Sequence, residues 1–199
     1  PSLPTCANEP WLPMTLSPRF TLTAAALAVL CLAAVIHILV VLTIPQNVQH
    51  SAYDDALTYG PDRQFNLLPD VRPGEEALPG LDPAMKHAIC RFQLSAGPVF
   101  FDAGIPASFW SIGVFNQAGE TVYSLNNRTA GADRLSMLLI TSEQLAILRQ
   151  NPPANLEDLI VIETETISGI ALLRAYVSHP TQAETIENAM SIASCDVLG

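Results

Sequence analysis

An uninterrupted apolar segment near the N-terminus constrains this chain more than any other feature. Residues 20–44 read FTLTAAALAVLCLAAVIHILVVLTI, which contains no Asp, Glu, Lys or Arg. As a helix, the segment spans roughly 37 Å at about 1.5 Å per residue, which exceeds the thickness of a hydrocarbon core of about 30 Å. The sequence therefore predicts one transmembrane helix at residues 20–44, with the lipid bilayer as its partner.

A cleaved signal peptide is the alternative interpretation of this segment. The apolar run is about twice the length of a usual signal-peptide core, and no small-x-small cleavage site follows it, so we expect an anchor. Arg19 flanks its N-terminal end, whereas the next basic residue after it is Arg63. The positive-inside rule then favours a cytoplasmic N-terminus at residues 1–19 and a periplasmic C-terminal domain, in a bacterial inner membrane.

The span carries candidate residues for contact with another helix. Ala24 and Ala28 form a small-xxx-small face of the kind that lets two helices approach closely. His37 is a polar group within the membrane, where hydrogen bonding to a second helix or proximity to the interface is expected. Its alternative role is to hold a pigment, since the stretch around Ala33 and His37 resembles bacterial light-harvesting polypeptides over a few residues.

The rest of the chain is acidic and begins with an irregular segment. The formal net charge is −10, and no basic stripe is present that could neutralise phosphates, which argues against nucleic acid as a partner. Residues 45–85 are rich in Pro, Gly and acidic residues and predict an extended connector. Because Leu67, Leu68, Leu78 and Leu81 recur beside prolines, we expect this connector to pack along the domain surface.

Residues 86–199 predict a mainly β domain of the sandwich or jelly-roll type, with two short helices. Short apolar runs separated by turn residues predict strands at 89–94, 99–102, 108–115, 121–125, 135–140, 159–164 and 170–177. Asn116–Gly119 predicts a hairpin turn in which glycine takes a positive φ. Capping-box spacing at Thr141 and Gln144 predicts the first helix, and the same spacing at Thr181 and Glu184 predicts a second one that runs to Cys195.

Two cysteines lie near the two ends of this domain. A bond between Cys90 and Cys195 would close a loop of about a hundred residues, which the chain-entropy account values at roughly 4 to 5 kcal/mol. It requires an oxidising compartment such as a periplasm. The alternative is two buried free thiols. No CxxC or Cys/His cluster has zinc spacing, so we expect no metal site.

The search for chemistry finds no catalytic motif. No GxSxG elbow, P-loop, GxGxxG or HExxH occurs, and the histidines have no ligand spacing, so no cofactor or catalytic residue is predicted. The best candidates for ligand binding are two aromatics and a polar cluster after a strand: Trp110, Tyr123, Asn126 and Arg128. The guanidinium of Arg128 could bind a carboxylate through two hydrogen bonds. The structural alternative is that the asparagines serve a turn and Arg128 pairs with an acid.

Several short motifs together resemble a known family. They are Val35–Ile38 with Pro45, Phe65–Pro69, Leu81–Ala84, Cys90–Leu94 with Gly97–Pro98, Phe109–Ser111 and Tyr123–Arg128. As a set they resemble the short proteobacterial membrane proteins grouped as domain of unknown function 1254. The resemblance implies an inner-membrane anchor and a periplasmic sandwich-like domain. Gln93 and Asn127 depart from the acids expected in that pattern, and no catalytic residue is carried over.

Three functions remain open. The leading hypothesis is a non-enzymatic accessory or interaction subunit that presents its domain to another membrane or periplasmic protein. The second is a periplasmic module that binds a small or carbohydrate-like ligand. The third is a hydrolase-like enzyme, which would require a pair of titratable groups with shifted pKa values.

Overall fold

The computed structural model describes residues 17–43, 51–72, 74–131, 134–150 and 159–198. The chain divides into two compact units, Pro1–Gln49 and His50–Gly199. Residue 44 of the predicted span and residues 45–50 of the predicted connector lie outside the described residues.

The first unit contains helix α1, Pro18–Thr43, which has no buried residue. It is long and apolar enough to cross a membrane, as a signal sequence near an N-terminus also is. The hydroxyl groups of Thr21 and Thr23 donate to the carbonyls of Ser17 and Arg19, at 3.2 and 3.1 Å. These bonds satisfy polar groups inside the helix itself, which an apolar surrounding requires.

The second unit is a sandwich of two sheets, as the sequence predicted. Its described part contains β1 (Asn66–Leu67), β2 (Met85–Gln93), β3 (Val99–Gly104), β4 (Trp110–Asn116), β5 (Thr121–Asn126), β6 (Arg134–Ile140), β7 (Ile160–Glu163), β8 (Ser168–Tyr176) and β9 (Ser194–Val197). One sheet has the order β1-β2-β8-β4-β5 and the other β7-β6-β3-β9. Strands β6 and β7 pair in parallel, and the other pairs are antiparallel.

Short helices connect the strands: α2 (Ala52–Asp55), α3 (Asn127–Ala130), α4 (Ser142–Leu148) and α5 (Ala183–Ser191). The capping box at Thr141 and Gln144 is present and begins α4. The Thr181 capping box was a wrong prediction, because Gln182 is the residue at the N-cap of α5 and makes no side-chain cap bond. Instead, His179 caps the 3₁₀ turn that precedes α5 and accepts from the Thr181 amide.

The end of the chain also differs from the prediction of a helix through Cys195. Helix α5 ends at Ser191, and β9 then pairs with β3 at the edge of the second sheet, with Cys195 opposite Phe101. The free backbone edge of β3 provides partners that the short helix cannot. Cys195 is joined to Cys90 of β2 in a disulfide, the pairing favoured from the sequence, with 6.6 Å between the Cα atoms.

The core lies between the inner faces of the two sheets. Every second residue of the central strands points inward, as the period of a strand requires. Alternation along β4 places the side chains of Trp110, Ile112 and Val114 in this core, each at most 1% exposed. Gly119 has φ +80° in the turn between β4 and β5, which matches the predicted hairpin.

The segment 51–82 covers part of the outer face of the five-stranded sheet. It contains α2 and a 3₁₀ turn at Ala56–Thr58, so it is less extended than predicted. Ala56, Leu68 and Leu78 form a second apolar cluster with Ile89 of β2 and Ile170 of β8. The expected packing along the domain surface is therefore present at Leu68 and Leu78, whereas Leu67 is 37% exposed.

Candidate functional site

A row of three polar residues crosses the outer face of the five-stranded sheet. His87 of β2 is opposite Arg174 of β8, and Arg174 is in turn opposite Ser111 of β4. Directly opposed residues of antiparallel strands are about 4.5 to 5.5 Å apart at their Cα atoms. The sheet therefore brings an imidazole, a guanidinium and a hydroxyl side by side, although their strands are far apart in the sequence.

Apolar side chains border this polar row on the same face. Met85 and Tyr176 lie two residues from His87 and Arg174 and are opposite each other in the register. The amide of Tyr176 donates to the carbonyl of Phe109, which fixes the start of β4 beside the end of β8. Phe109 and Met85 are half-buried, and Tyr176 is 38% exposed. The row is thus bordered by aromatic and apolar side chains that are themselves partly accessible.

The guanidinium of Arg174 is half-buried, and its Nε is buried without a hydrogen-bond partner within the described segments. His87 is 2% exposed, and its Nε2 is likewise without a partner there. Burial lowers the pKa of His87 to about 4, the positive charge of Arg174 lowers it further in the same direction, and Asp82 opposes them. At neutral pH the imidazole is therefore uncharged, and Arg174 provides the positive charge of the row.

Arg174 differs from the other partly buried cations of the domain. Lys86 pairs with Asp70 and Glu187, and Arg91 pairs with Asp62 at 3.3 Å and lies 4.1 Å above the ring of Tyr53. Arg174 has no such acid among the residues described. The other described arginines without an ion pair are exposed: Arg19, Arg72, Arg128 and Arg149. A half-buried guanidinium without a counter-charge is thus specific to Arg174 in this part of the chain.

The structure does not bring the four predicted ligand-binding residues together. Trp110 is 1% exposed and belongs to the core, so its side chain presents no surface to a ligand. Tyr123 also packs against the core, on the inner face of the edge strand β5. Asn126 is opposite Ser111 and so lies on the outer face. Because neighbouring strand positions point to opposite sides, residues close in the sequence were separated by the sheet.

The polar cluster after β5 is a helix cap. The Asn126 side chain accepts from the amides of Arg128 and Thr129, each at 3.0 Å, and Thr129 completes a capping box. Arg128 is exposed on α3 and makes no ion pair with a described residue. The geometry matches the structural alternative for Asn126, while the expected partner of Arg128 is not found among described acids.

Sequence reasoning missed both His87 and Arg174. One signal was available, since Arg174 is the one charged residue of the segment 167–177, ISGIALLRAYV. Charged residues are rare inside half-buried strands unless they are paired or functional. His87 carried no local signal, because its importance depends on its neighbour across the β2–β8 pair.

The candidate contact residues of α1 lie on two different sides of the helix. Ala24 and Ala28 are one turn apart and share a face, whereas His37 follows Ala28 by nine residues, about two and a half turns. All three are exposed. A second helix packed on the alanine face would therefore not contact His37 at the same time.

Two other features of the second unit are less suited to ligand binding. A shallow depression of about 300 Å³ is bordered by Asp70, Met85, Lys86 and Pro180, but Lys86 already has two acidic partners there. Within the described residues, no group of three or more His, Cys, Asp and Glu side chains could hold a metal ion. The row of His87, Arg174 and Ser111 is the strongest candidate site.

Solved structures of other proteins are similar to this chain over part of its length. The VPA0106 protein from Vibrio parahaemolyticus has a similar structure, with a TM-score of 0.54 and 14% identity over 74% of this chain and 35% of that one. This chain thus spans about a third of the length of that protein. An uncharacterized protein from Burkholderia cenocepacia matches at a TM-score of 0.39 and 16% identity, over 57% of this chain and 32% of that one. No curated protein matches the chain.

The sequence pattern of a protein family matches residues 64–195, which include the described strands β1 to β8 and the first two residues of β9. The family is described as protein of unknown function (DUF1254). The resemblance noted from short motifs is therefore confirmed over most of the globular unit. This chain belongs to the DUF1254 family.

Proposed function

We propose that this chain is a single-pass inner-membrane protein of a bacterium whose sandwich domain acts in the periplasm as a non-enzymatic accessory or interaction subunit. Residues 1–19 stay in the cytoplasm in this arrangement, because Arg19 is the basic residue that flanks the span. The partner is another membrane or periplasmic protein.

The observation that carries this proposal is the complete exposure of α1. Thirteen large apolar side chains of the helix are about half exposed or more: Phe20, Leu22, Leu27, Val29, Leu30, Leu32, Val35, Ile36, Ile38, Leu39, Val40, Val41 and Leu42. A helix that is apolar on every side is stable in lipid or inside a large protein, and its exposure in water is strongly unfavourable. Because α1 is exposed along its whole length, lipid is the environment that fits.

The disulfide supports the periplasmic side. Bonds such as Cys90–Cys195 persist in oxidising compartments and are rare where thiol reductants act. A domain on the cytoplasmic side of the same anchor would hold these two cysteines as thiols.

The contacts of hydroxyl groups with titratable groups support a non-enzymatic role. Ser51 lies 3.0 Å from Asp54, and Thr181 lies 2.9 Å from His179. Both contacts are exposed and belong to helix or turn caps. A nucleophile and its base are expected in a cleft, with a third group that orients the base.

The test is an analysis of the full chain in a bacterial host. We expect the protein in the membrane pellet after a carbonate wash, and we expect protease added to spheroplasts to digest the sandwich. Thiols are blocked before lysis, and Cys90 and Cys195 should escape alkylation until a reductant is added. Recovery of the chain in the soluble fraction, or rapid alkylation of both cysteines, would refute the anchored periplasmic arrangement.

A second experiment tests the accessory role. The full chain is extracted in a mild detergent, and the proteins that copurify are identified after chemical crosslinking in intact cells. A stoichiometric membrane or periplasmic companion is expected. An uncrosslinked chain that migrates alone under all extraction conditions would contradict the role of a subunit.

A further inference from the structure

We propose that the outer face of the five-stranded sheet binds an organic monocarboxylate with an apolar tail, held by the guanidinium of Arg174 between His87 and Ser111. This site extends the proposed role by naming a ligand class, and it is independent of which side of a membrane the domain occupies.

The charge of the Arg174 guanidinium favours an anionic ligand. A half-buried guanidinium loses part of its hydration, and it regains favourable interactions when an anion approaches. None of the described acids lies within ion-pair distance of Arg174. The planar fork of a guanidinium matches the two oxygens of a carboxylate.

The charges around Arg174 favour a ligand that carries a single negative charge. His87 is uncharged at neutral pH and adds no second cation beside Arg174. The carboxylate of Asp82 also acts on His87, which disfavours further negative charge at that end of the row. A dianion such as phosphate would therefore be balanced by one cation only. A monocarboxylate matches the charge that the row provides.

The two neighbours of Arg174 in the row can form hydrogen bonds with the bound carboxylate. The Ser111 hydroxyl and the His87 ring lie on either side of Arg174. Each can donate a hydrogen bond to an oxygen of a bound carboxylate. Buried Nε2 of His87 has no described partner, so a bound oxygen would satisfy it.

Apolar side chains beside the row can contact the apolar tail of the ligand. Met85, Phe109 and Tyr176 border the row on the same face, and Tyr176 is 38% exposed. Removing their apolar surface from water stabilises a complex. An acid with a chain of several carbons would contact this border while its carboxylate meets Arg174.

The test is a titration of the full chain in mild detergent with sodium hexanoate, followed through the ¹³C-labelled His87 ring in NMR spectra. Hexanoate is expected to shift the His87 signals in a saturable manner and to raise the pKa of His87, because the added negative charge favours the imidazolium. Hexanamide, the uncharged analogue, is the control for partition into the detergent and should leave the His87 signals unchanged.

The variants are Arg174→Gln and, as a matched control, Arg128→Gln, which removes the same charge from an exposed position. We expect hexanoate affinity to fall roughly tenfold or more in Arg174→Gln, the effect of losing one charge-assisted contact, and to stay unchanged in Arg128→Gln. Arg174→Lys, which keeps the charge without the fork, should bind with intermediate affinity. Near-UV circular dichroism verifies that each variant is folded.

Equal affinity of Arg174→Gln and the unsubstituted protein would overturn the proposal, as would equal responses to hexanoate and hexanamide. A free acid and the C-terminus of a peptide carry the same group, so acetyl-leucine is titrated in parallel. Tighter binding of either compound supports the site and identifies the source. Failure of this titration leaves the membrane fractionation result unaffected, so the two proposals are tested separately.

Discussion

Cys90 of β2 and Cys195 of β9 join the two sheets of the sandwich by a disulfide that spans 105 residues. Both cysteines are at most 1% exposed, so the bond lies within the core. It ties the first long strand of the domain to the last one, and it therefore closes most of the globular unit into one loop.

Removing this bond should strongly destabilise the domain. For a closed loop of this length, the chain-entropy account predicts a loss of about 4 to 5 kcal/mol in the free energy of unfolding. The measurement is urea unfolding of the full chain in mild detergent, with Cys90→Ala/Cys195→Ala compared with the unsubstituted protein. Cys31→Ser changes the exposed cysteine of α1 and is the matched control, with no expected effect on the sandwich. Equal midpoints for all three proteins would show that the bond contributes little.

Acid should destabilise the domain through His87. The pKa of His87 is about 4 in the folded protein and 6.5 when the ring is unperturbed. The unfolded chain binds the proton more readily than the folded protein does. The contribution of the uncharged His87 to the stability of the domain is therefore complete above pH 6.5, and it is lost as the pH falls towards 4. We expect a loss of roughly 2 to 3 kcal/mol from this group over that interval.

The measurement compares unfolding midpoints at pH 7 and pH 4 for two histidine variants. His87→Leu removes the buried imidazole and should reduce the pH dependence. His179→Asn is the matched control for the loss of a histidine, because it removes an exposed imidazole but keeps a capping acceptor. The prediction is wrong if His87→Leu loses as much stability on acidification as the unsubstituted protein does.

Asn126 and Arg128 should differ in their contribution to stability. Asn126 caps α3 through two amide hydrogen bonds, so Asn126→Ala is expected to lower the free energy of unfolding by about 1 kcal/mol. Arg128→Ala removes an exposed side chain and should change it by less than about 0.5 kcal/mol. Thermal unfolding followed by circular dichroism tests both values. A larger effect of Arg128→Ala would indicate a contact beyond the described residues.

The segment 51–82 should contribute to the stability of the sandwich. Leu78 is 5% exposed and packs with Ile89 and Ile170, so Leu78→Ala should destabilise the domain by about 2 to 5 kcal/mol. Leu57 is 55% exposed, and Leu57→Ala is the matched control with an expected change below about 0.5 kcal/mol. Chemical unfolding monitored by near-UV circular dichroism distinguishes them. Similar small effects for both variants would mean that this segment only spaces the domain from the anchor.

The sequence by itself determined the elements whose causes are local. The composition of residues 20–44 sets a helix that is apolar on all sides, and α1 follows from it. Alternation with a period of two set the faces of β4, and the glycine at position 119 set its turn. These features depend on a residue and its near neighbours, which a single sequence displays directly.

Tertiary structure alone decided the end of the chain and the candidate site. The last residues formed β9 because the edge of β3 offered backbone partners, and no local pattern distinguishes that strand from the end of a helix. Trp110 was assigned to a ligand and entered the core, while Arg174 acquired its neighbours His87 and Ser111 only through the register of three strands. Cross-strand pairing joins residues that are distant in the sequence, so the chemistry of this face exists only in the folded sheet.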